Sequence, residues 1–368
     1  MSWKYVPAVL LVLVLMTGGV YASELTINTG IESDLITTGP MNPEFIRYLE
    51  EVNAVDVADT PMEHSLGAVP APVWRPEVVE LQGSDLSLLG YESTVDLRDQ
   101  GRVSAVRDQN GWGTCWAFSS CGSLESSLLP LVNRTLSPKN MVNRHGFDNG
   151  YNDGGNAYMA AAYLTRWDGP VDEEIDPYPI ENWSESEAFP PVQHVQNVFF
   201  PPARTNRTDT LGLKEGLQRW GPAYVSIFWN NSFYNPATSS YYQPETAPNL
   251  NPGGGHAVNL VGWNDTFPAS AFAHPAPGDG AWIVKNSWGS AWGDQGFFYV
   301  SYYDKYFGSA LVDNQYRDTA FFTGEPVGNY DRVYLHDPLG ECDDVSILWS
   351  KGGTIHSKLF LLAFLLWT

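Results

Sequence analysis

The chain changes from patterns that favour helices to patterns that favour strands. Residues 115–129, CWAFSSCGSLESSLL, suit a helix that Pro130 closes, and residues 157–166 suit a second helix. Later apolar and aromatic runs are separated by clusters of Gly, Pro and Asn, as strands are; the runs are AYVSIFW, HAVNLVGW, AWIVKNSW and GFFYVSYY. Helices followed by strands predict an α+β fold with two packed lobes.

The hydrophobic core must hold this fold together. Of 368 residues, 43% are hydrophobic and 14% aromatic, which is enough to bury a sizeable core. The only cysteines are Cys115, Cys121 and Cys342, too few for a disulfide framework, and no spacing favours a Cys121–Cys342 bond.

The first 22 residues resemble a secretory signal peptide. Lys4 precedes an apolar run over 6–16, and Val-Tyr-Ala ends at Ala22, the expected cleavage site. The run is shorter than the roughly 20 residues of a spanning helix, so no stable membrane span is expected after cleavage. The chain is therefore predicted to be secreted or held at the cell surface.

Residues 23–92 are Pro-rich and acidic, with one short amphipathic stretch over 43–52. They are interpreted as a pro-segment or N-terminal arm. The alternative is a solvated leader with no inhibitory role.

The formal net charge of −22 disfavours nucleic acid as a partner, because a phosphate backbone attracts a surplus of Lys and Arg. No group of His, Cys, Asp and Glu has the spacing of a metal site, and no cofactor is expected. Most histidines are interpreted as surface or satisfied core groups, namely His145, His194, His274, His336 and His356.

Cys115 is the strongest candidate for a nucleophile. A helix N-terminus stabilises a thiolate, and Gly111 and Gly113 allow the preceding backbone to turn tightly and leave the sulfur open. The amide of Gln109 and the backbone N–H of Cys115 could together stabilise an oxyanion.

Three sequence blocks carry a resemblance to a known family. VDLRDQGRVSAVRDQNGWGTCWAFSS contains Gln109, Gly113 and Cys115; GGGHAVNLVGW contains His256, 141 positions after Cys115; AWIVKNSWGSAWGDQGFFYV contains Asn286. Together, over residues 95–318, they resemble the papain family of cysteine peptidases, of the exported microbial type.

The resemblance implies a fold with a helical left lobe, a β-barrel-like right lobe and a cleft between them. It implies that His256 takes the proton of Cys115, giving a thiolate and imidazolium pair, and returns it to the leaving amine. Asn286 would orient the imidazole, and Trp288 would shield the pair from water.

The resemblance also covers YNDGGNAY, in which Gly154 and Gly155 would offer backbone to a substrate strand. The alternative is an ordinary turn. Two structural disulfides typical of the family are not expected, because Trp112, Asn152 and Arg144 stand where cysteines are common.

The predicted organisation is a signal peptide over 1–22, a pro-segment or arm over 23–92, a peptidase domain over 93–318 and a C-terminal segment over 319–368. YDRVYLHDPLG resembles the start of a lectin-like module, which suggests glycan contact at the cell surface. The apolar stretch LFLLAFLLW is a buried strand, an interface or the stump of an incomplete domain.

The leading functional hypothesis is an endopeptidase that cleaves protein or peptide substrates through an acyl-thioester intermediate. A cell-surface binding protein built on the same fold is the second hypothesis. A transpeptidase or amidase with the same acyl-enzyme chemistry is the third, and only the products separate it from a hydrolase.

Overall fold

The computed structural model describes residues 64–69, 90–147, 149–179, 182–201, 204, 206–247, 254–308, 319–336, 346–351 and 354–356. The predicted signal peptide, the amphipathic stretch over 43–52, Cys342 and the apolar stretch LFLLAFLLW lie outside these residues.

Four α-helices are described. The two that the sequence predicts are present, and each ends one residue before its predicted end. The other two were not predicted; one begins with Pro138, which suits the first helical position because its missing N–H would have no partner there, and Ser137 caps it. The helices are α1 (Cys115–Leu128), α2 (Pro138–Arg144), α3 (Ala157–Thr165) and α4 (Leu211–Trp220).

Nine strands form one mixed sheet, whose bonded order is β2-β9-β3-β6-β7-β8-β5-β4, with β1 paired to β6. The long strand β6 lies at its centre, antiparallel to β1, β3 and β7. The strands are β1 (Thr94–Asp96), β2 (His194–Phe199), β3 (Ala223–Trp229), β4 (Tyr234–Asn235), β5 (Ser240–Tyr241), β6 (Gly254–Asn264), β7 (Ala281–Lys285), β8 (Phe297–Ser301) and β9 (Thr319–Glu325).

The fold is α+β, as predicted, but the expectation of a barrel needs correction. The bonded order runs from β2 to β4 without the two ends pairing, so the described strands form an open sheet. The short two-residue strands at one end offer too few backbone groups to close a barrel.

Two hydrophobic cores lie on either side of the site. One surrounds α1 and α3 and includes Trp116 and Tyr163, while the other lies within the sheet and includes Trp229 and Trp263. Helix α1 packs against β3, β6 and β9, so the start of this helix lies beside the central strand. This contact positions the candidate site.

The predicted domain boundary at residue 318 falls just before β9. This strand pairs with β2 and β3, so the main sheet continues past that boundary. Beyond it, β10 (Arg332–His336), β11 (Ser346–Lys351) and β12 (Thr354–His356) form a separate antiparallel sheet. Within the described residues, no helix has the length and apolar character needed to cross a membrane.

Candidate active site

Cys115 is the first residue of α1, and its side chain is fully buried. The N-cap residue Thr114 makes no capping hydrogen bond with its side chain, so its hydroxyl does not compete for the helix amides. The Cys115 sulfur accepts a hydrogen bond from the backbone N–H of Ala257, with an N to S distance of 3.4 Å. The thiol therefore lies against β6, one residue along from His256.

His256 is held in one tautomer by Asn286, the residue that follows β7. The Nε2 atom of His256 lies 2.8 Å from Oδ1 of Asn286, and the backbone N–H of Ser287 donates to the same Oδ1 at 2.8 Å. Because that atom accepts from a backbone N–H it is an oxygen, and Nε2 of His256 must donate to it. In the neutral ring, Nδ1 is then the unprotonated nitrogen that can accept a proton.

Aromatic rings fix the plane of this imidazole. The ring of Trp288 stacks on His256 with centroids 4.6 Å apart and planes 25° apart. Trp229, which is fully buried in β3, meets both rings edge-on. The expected shielding role of Trp288 is thus compatible with its position against the ring.

Burial favours the neutral forms of both reactive groups. Desolvation raises the pKa of Cys115 to about 11, although the backbone amides of Ala257 and Gly67 oppose the shift. Desolvation lowers the pKa of His256 to about 4, against the opposing effect of the hydrogen bond that its Nε2 donates to Asn286. Burial therefore opposes the charge of each partner in the thiolate and imidazolium pair that the resemblance implies.

Gln109 lies beside the nucleophile, and its amide orientation is set by its neighbours. Its Oε1 accepts from the Ser287 hydroxyl at 2.6 Å, so Nε2 is the donor. That Nε2 donates to the carbonyl of Trp112 and to the carbonyl of Ser65, each at 2.8 Å. Both N–H groups of the amide are thus in use, and displacement of the Ser65 carbonyl would free one of them for another carbonyl oxygen.

A short stretch of the N-terminal arm covers the thiol. Gly67, Ala68 and Val69 are buried, and the arm is bonded to both sides of the site. The Ala68 N–H donates to the Gly255 carbonyl at 3.0 Å, while the Gly155 N–H donates to the Gly67 carbonyl at 2.9 Å. Residues 64–69 are called the covering segment below.

The covering segment runs parallel to the chain at Gly155. At its start, His64 stacks on Trp288 with centroids 5.4 Å apart. At its end, the Val69 N–H donates to the Gly155 carbonyl at 3.0 Å. Gly67 lies between these ends, and its backbone N–H is among the amides that act to lower the pKa of the Cys115 thiol.

Three glycines make this close approach possible. A Cβ on Gly67 would lie 1.9 Å from the Gly113 carbonyl oxygen, and a Cβ on Gly155 would lie 2.4 Å from the Trp116 ring. Gly154 has a φ of +83°, which L side chains rarely adopt. The structure thus brings the predicted Gly113, Gly154 and Gly155 together along one groove.

Comparison with known proteins identifies the family. Residues 91–313, more than half of the chain, match the family described as papain family cysteine protease. The chain belongs to the papain family.

Curated relatives of this papain-family chain include cathepsins. A cathepsin L-like peptidase of Aedes aegypti is 32% identical over 214 residues, which cover 56% of this chain and 57% of the relative. Mouse cathepsin K is 30% identical over 210 residues, which cover 55% of this chain and 58% of the relative. The match therefore spans a little over half the length of these relatives.

The fold of this chain also resembles that of a solved structure. The cysteine protease and lectin-like domains of Cwp84, a surface layer associated protein of Clostridium difficile, superpose with a TM-score of 0.63 at 24% identity. The superposition covers 85% of this chain and 66% of that one. At this identity the likeness concerns the fold alone.

Noncovalent contacts join the segments where this papain-family chain has no cysteine pair. The Gly113 N–H donates to Oδ1 of Asn152 at 2.7 Å, and the Trp112 ring meets the Tyr151 ring edge-on at 5.4 Å. Arg144, at the other position where a structural cysteine is common, is exposed. Cys121 is a free thiol buried in the helical core.

The structure brings together the predicted site residues Gln109, Cys115, His256, Asn286 and Trp288. Sequence reasoning did not single out the covering segment within the arm, because HSLGAV has no helical or strand period. Its one local signal is a glycine between two apolar residues. Across the described part of the chain, no cluster of three or more His, Cys, Asp or Glu could hold a metal ion.

Proposed function

We propose that this chain is the precursor of a secreted cysteine endopeptidase that acts through Cys115, His256 and Asn286. One observation carries the proposal. The 2.8 Å contact between His256 and Asn286 leaves Nδ1 as the base, and the next residue, Ala257, donates its N–H to the Cys115 sulfur. This arrangement gives a thiol, a base and an orienting amide side by side at the floor of a groove.

In the proposed reaction, His256 takes the thiol proton and the Cys115 sulfur bonds to the substrate carbonyl carbon. The carbonyl electron pair moves to oxygen, where Nε2 of Gln109 and the backbone N–H of Cys115 donate to it. The oxyanion collapses, the carbon–nitrogen bond breaks, and His256 gives its proton to the leaving amine. Water then attacks the thioester, with His256 as base, and frees the thiol.

Latency is part of the proposal. The covering segment hides the thiol and satisfies Gln109 with the Ser65 carbonyl, so no substrate carbonyl can occupy that position. Residues 23–92 would then act as an inhibitory pro-segment that must be displaced or removed.

The decisive test compares two cysteines of the same helix. Cys115→Ala is expected to lower the turnover of peptide substrates by on the order of 10⁴-fold or more, and to abolish labelling by an epoxide thiol trap. Cys121→Ala is the matched control, because Cys121 is also buried in α1 and is six residues farther along. Turnover by the Cys115→Ala protein at the wild-type rate would overturn the proposal, and product analysis would separate hydrolysis from transpeptidation.

Export rests on the N-terminal pattern and is tested separately. We expect that expression of the full chain in a secreting host yields extracellular protein whose N-terminus begins after Ala22. Intracellular protein that keeps residues 1–22 would contradict export without affecting the catalytic proposal.

Glycan contact by the C-terminal segment is a second proposed activity. It is supported by the separate sheet of β10, β11 and β12, and by the fold likeness to a solved chain whose description includes a lectin-like domain. The full-length Cys115→Ala protein should bind a glycan-coated surface and be released by free sugar. Binding that free sugar does not reduce would contradict a lectin-like role.

A further inference from the structure

Tyr178 lies behind the loop that carries the oxyanion donors. Its Oη lies 2.9 Å from the carbonyl oxygen of Gln109 and 2.6 Å from the hydroxyl of Thr114. The carbonyl can only accept, so Tyr178 gives its one proton to Gln109 and accepts the proton of Thr114. One hydroxyl therefore bonds both ends of the 109–114 loop.

These two ends determine where the oxyanion donors lie. The side chain of Gln109 supplies one donor, and the backbone N–H of Cys115, the residue after Thr114, supplies the other. Between them the loop contains Gly111 and Gly113, and Asn110 has a φ of +51°. Within the loop, the Trp112 and Thr114 backbone N–H groups donate to the carbonyls of Gln109 and Trp112. The Tyr178 hydroxyl adds, from outside the loop, the contacts that join its two ends.

Tyr178 is itself held firmly. Its backbone N–H donates to Oε1 of Glu173 at 2.9 Å, and the other oxygen of Glu173 lies 2.6 Å from the Arg107 guanidinium. Its ring meets the ring of Phe118, a residue of α1, edge-on at 4.7 Å. Burial also raises the pKa of Tyr178 well above its ordinary value, so the hydroxyl stays a proton donor at any working pH.

We propose that Tyr178 is a positioning residue for the oxyanion site, acting through Gln109 and Thr114. It keeps the Gln109 amide and the Cys115 N–H at the separation that one developing oxyanion needs. It also holds the Thr114 hydroxyl away from the first turn of α1, where Thr114 makes no capping bond. The inference rests on the proposed function, because it assigns a role within the same reaction.

Tyr178→Phe tests the hydroxyl and leaves the ring in place. Activity is measured on the secreted full chain after processing, with the number of competent sites counted by epoxide titration. Small displacements of catalytic donors cost up to about 100-fold, so we expect kcat to fall between about tenfold and 100-fold. KM should change by less than about threefold, because the groove that binds substrate backbone is untouched.

Tyr163→Phe is the matched control. Tyr163 is a fully buried tyrosine, whereas Tyr178 is partly buried, and the Tyr163 hydroxyl donates to Oδ1 of Asn140 at 2.7 Å. If loss of the hydroxyl only weakened the fold, both variants would have a lower free energy of unfolding and an unchanged kcat per titrated site. A kcat within about twofold of the wild type in Tyr178→Phe would overturn the inference.

Thr114 provides an independent variant if Tyr178→Phe fails to fold. Thr114→Val removes the hydroxyl with little change of shape and should lower kcat, whereas Thr114→Ser should restore it. Equal kcat for the valine and serine variants would overturn the inference. Failure of the proposed function is distinguishable, because the wild type and Cys115→Ala would then show the same turnover.

Discussion

The two walls of the groove contact the same covering segment with different parts of the chain. The wall next to α1 and α3 presents mostly backbone, at Gly113, Gly154 and Gly155. The wall formed by the sheet presents side chains, among them His256 and Trp288, which stack on each other. One wall is shaped by the absence of side chains and the other by their packing.

Under the proposed function, this difference gives each wall a separate task. Backbone N–H and carbonyl groups bind an extended chain whatever its side chains are, which suits a groove that takes many sequences. Proton transfer instead needs an imidazole in one orientation, and the aromatic packing around His256 supplies it. Substitutions in the wall of Gly113, Gly154 and Gly155, called the glycine wall, should therefore affect substrate binding and latency. Substitutions in the wall formed by the sheet, called the sheet wall, should affect kcat.

The largest effect is expected at the sheet wall. His256→Ala removes the base, so kcat should fall by on the order of 10⁴-fold or more while KM changes little. The measurement is steady-state turnover of a peptide substrate. His274→Ala is the control, since His274 is exposed and contacts Phe233 instead of the groove. A rise in KM with an unchanged kcat would contradict the assignment of turnover to this wall, because the variant would then have lost substrate binding instead.

The second largest effect is expected where the covering segment packs against the glycine wall. A Cβ on Gly67 would overlap the backbone of Gly113, so Gly67→Ala should displace the segment. We expect the rate of epoxide labelling of the full chain to rise by about 100-fold, because an uncovered thiol regains contact with solvent.

Gly90→Ala is the matched control for Gly67→Ala. Gly90 belongs to the same arm, and a Cβ there would meet nothing within 4 Å. If Gly67→Ala and Gly90→Ala are labelled as slowly as the wild type, the covering segment does not cause latency.

The third effect is a dependence of latency on pH. Burial lowers the pKa of His256 to about 4 in the covered site, and His64 adds repulsion, whereas an exposed imidazole takes a proton near pH 6.5. Since the covered ring stays neutral, the covered state loses stability relative to the uncovered state as the pH falls from 6.5 toward 4. The free energy that favours the covered over the uncovered state falls by about 3 kcal/mol or less in total.

The ratio of labelling rates between Gly67→Ala and the wild type measures this change, because both proteins carry the same thiol and base. We expect the ratio to shrink by about tenfold or more between pH 6.5 and pH 4. A ratio that stays constant or grows as the pH falls would rule out His256 as the group that links acid to release.

The smallest effect is expected from Gly155→Ala. Its Cβ would lie against the Trp116 ring in the helical core, so the free energy of unfolding should fall by about 1–3 kcal/mol. Displacement of this backbone should also lower kcat/KM by about tenfold. Thermal unfolding and steady-state kinetics check both, with Gly212→Ala as the control because a Cβ there meets nothing within 4 Å. Unchanged kcat/KM would show that Gly155 does not bind substrate.

Local sequence patterns predicted several of the helices and strands that position the candidate site. The helix that starts at Cys115 and the strands that contain His256 and precede Asn286 were predictable, because period and Gly, Pro or Asn boundaries are local properties. Other elements were not predicted, among them β2, β9 and α2, although proline pairs flank β2 on both sides; α2 has only seven residues. The closed barrel was an expectation from resemblance, and strand pairing in this chain leaves the sheet open.

The sequence by itself determined which residues are candidates for the chemistry of this papain-family chain, because a cysteine at a helix start and a distant histidine and asparagine in strand contexts can be recognised from order and spacing. Only the tertiary structure decided what surrounds that chemistry. The contact of Ala257 with the Cys115 sulfur, the hydroxyl of Tyr178 behind the Gln109 loop and the bonds of the covering segment to Gly155 each join distant residues. Such contacts depend on how helix and sheet pack, and no local period encodes that packing.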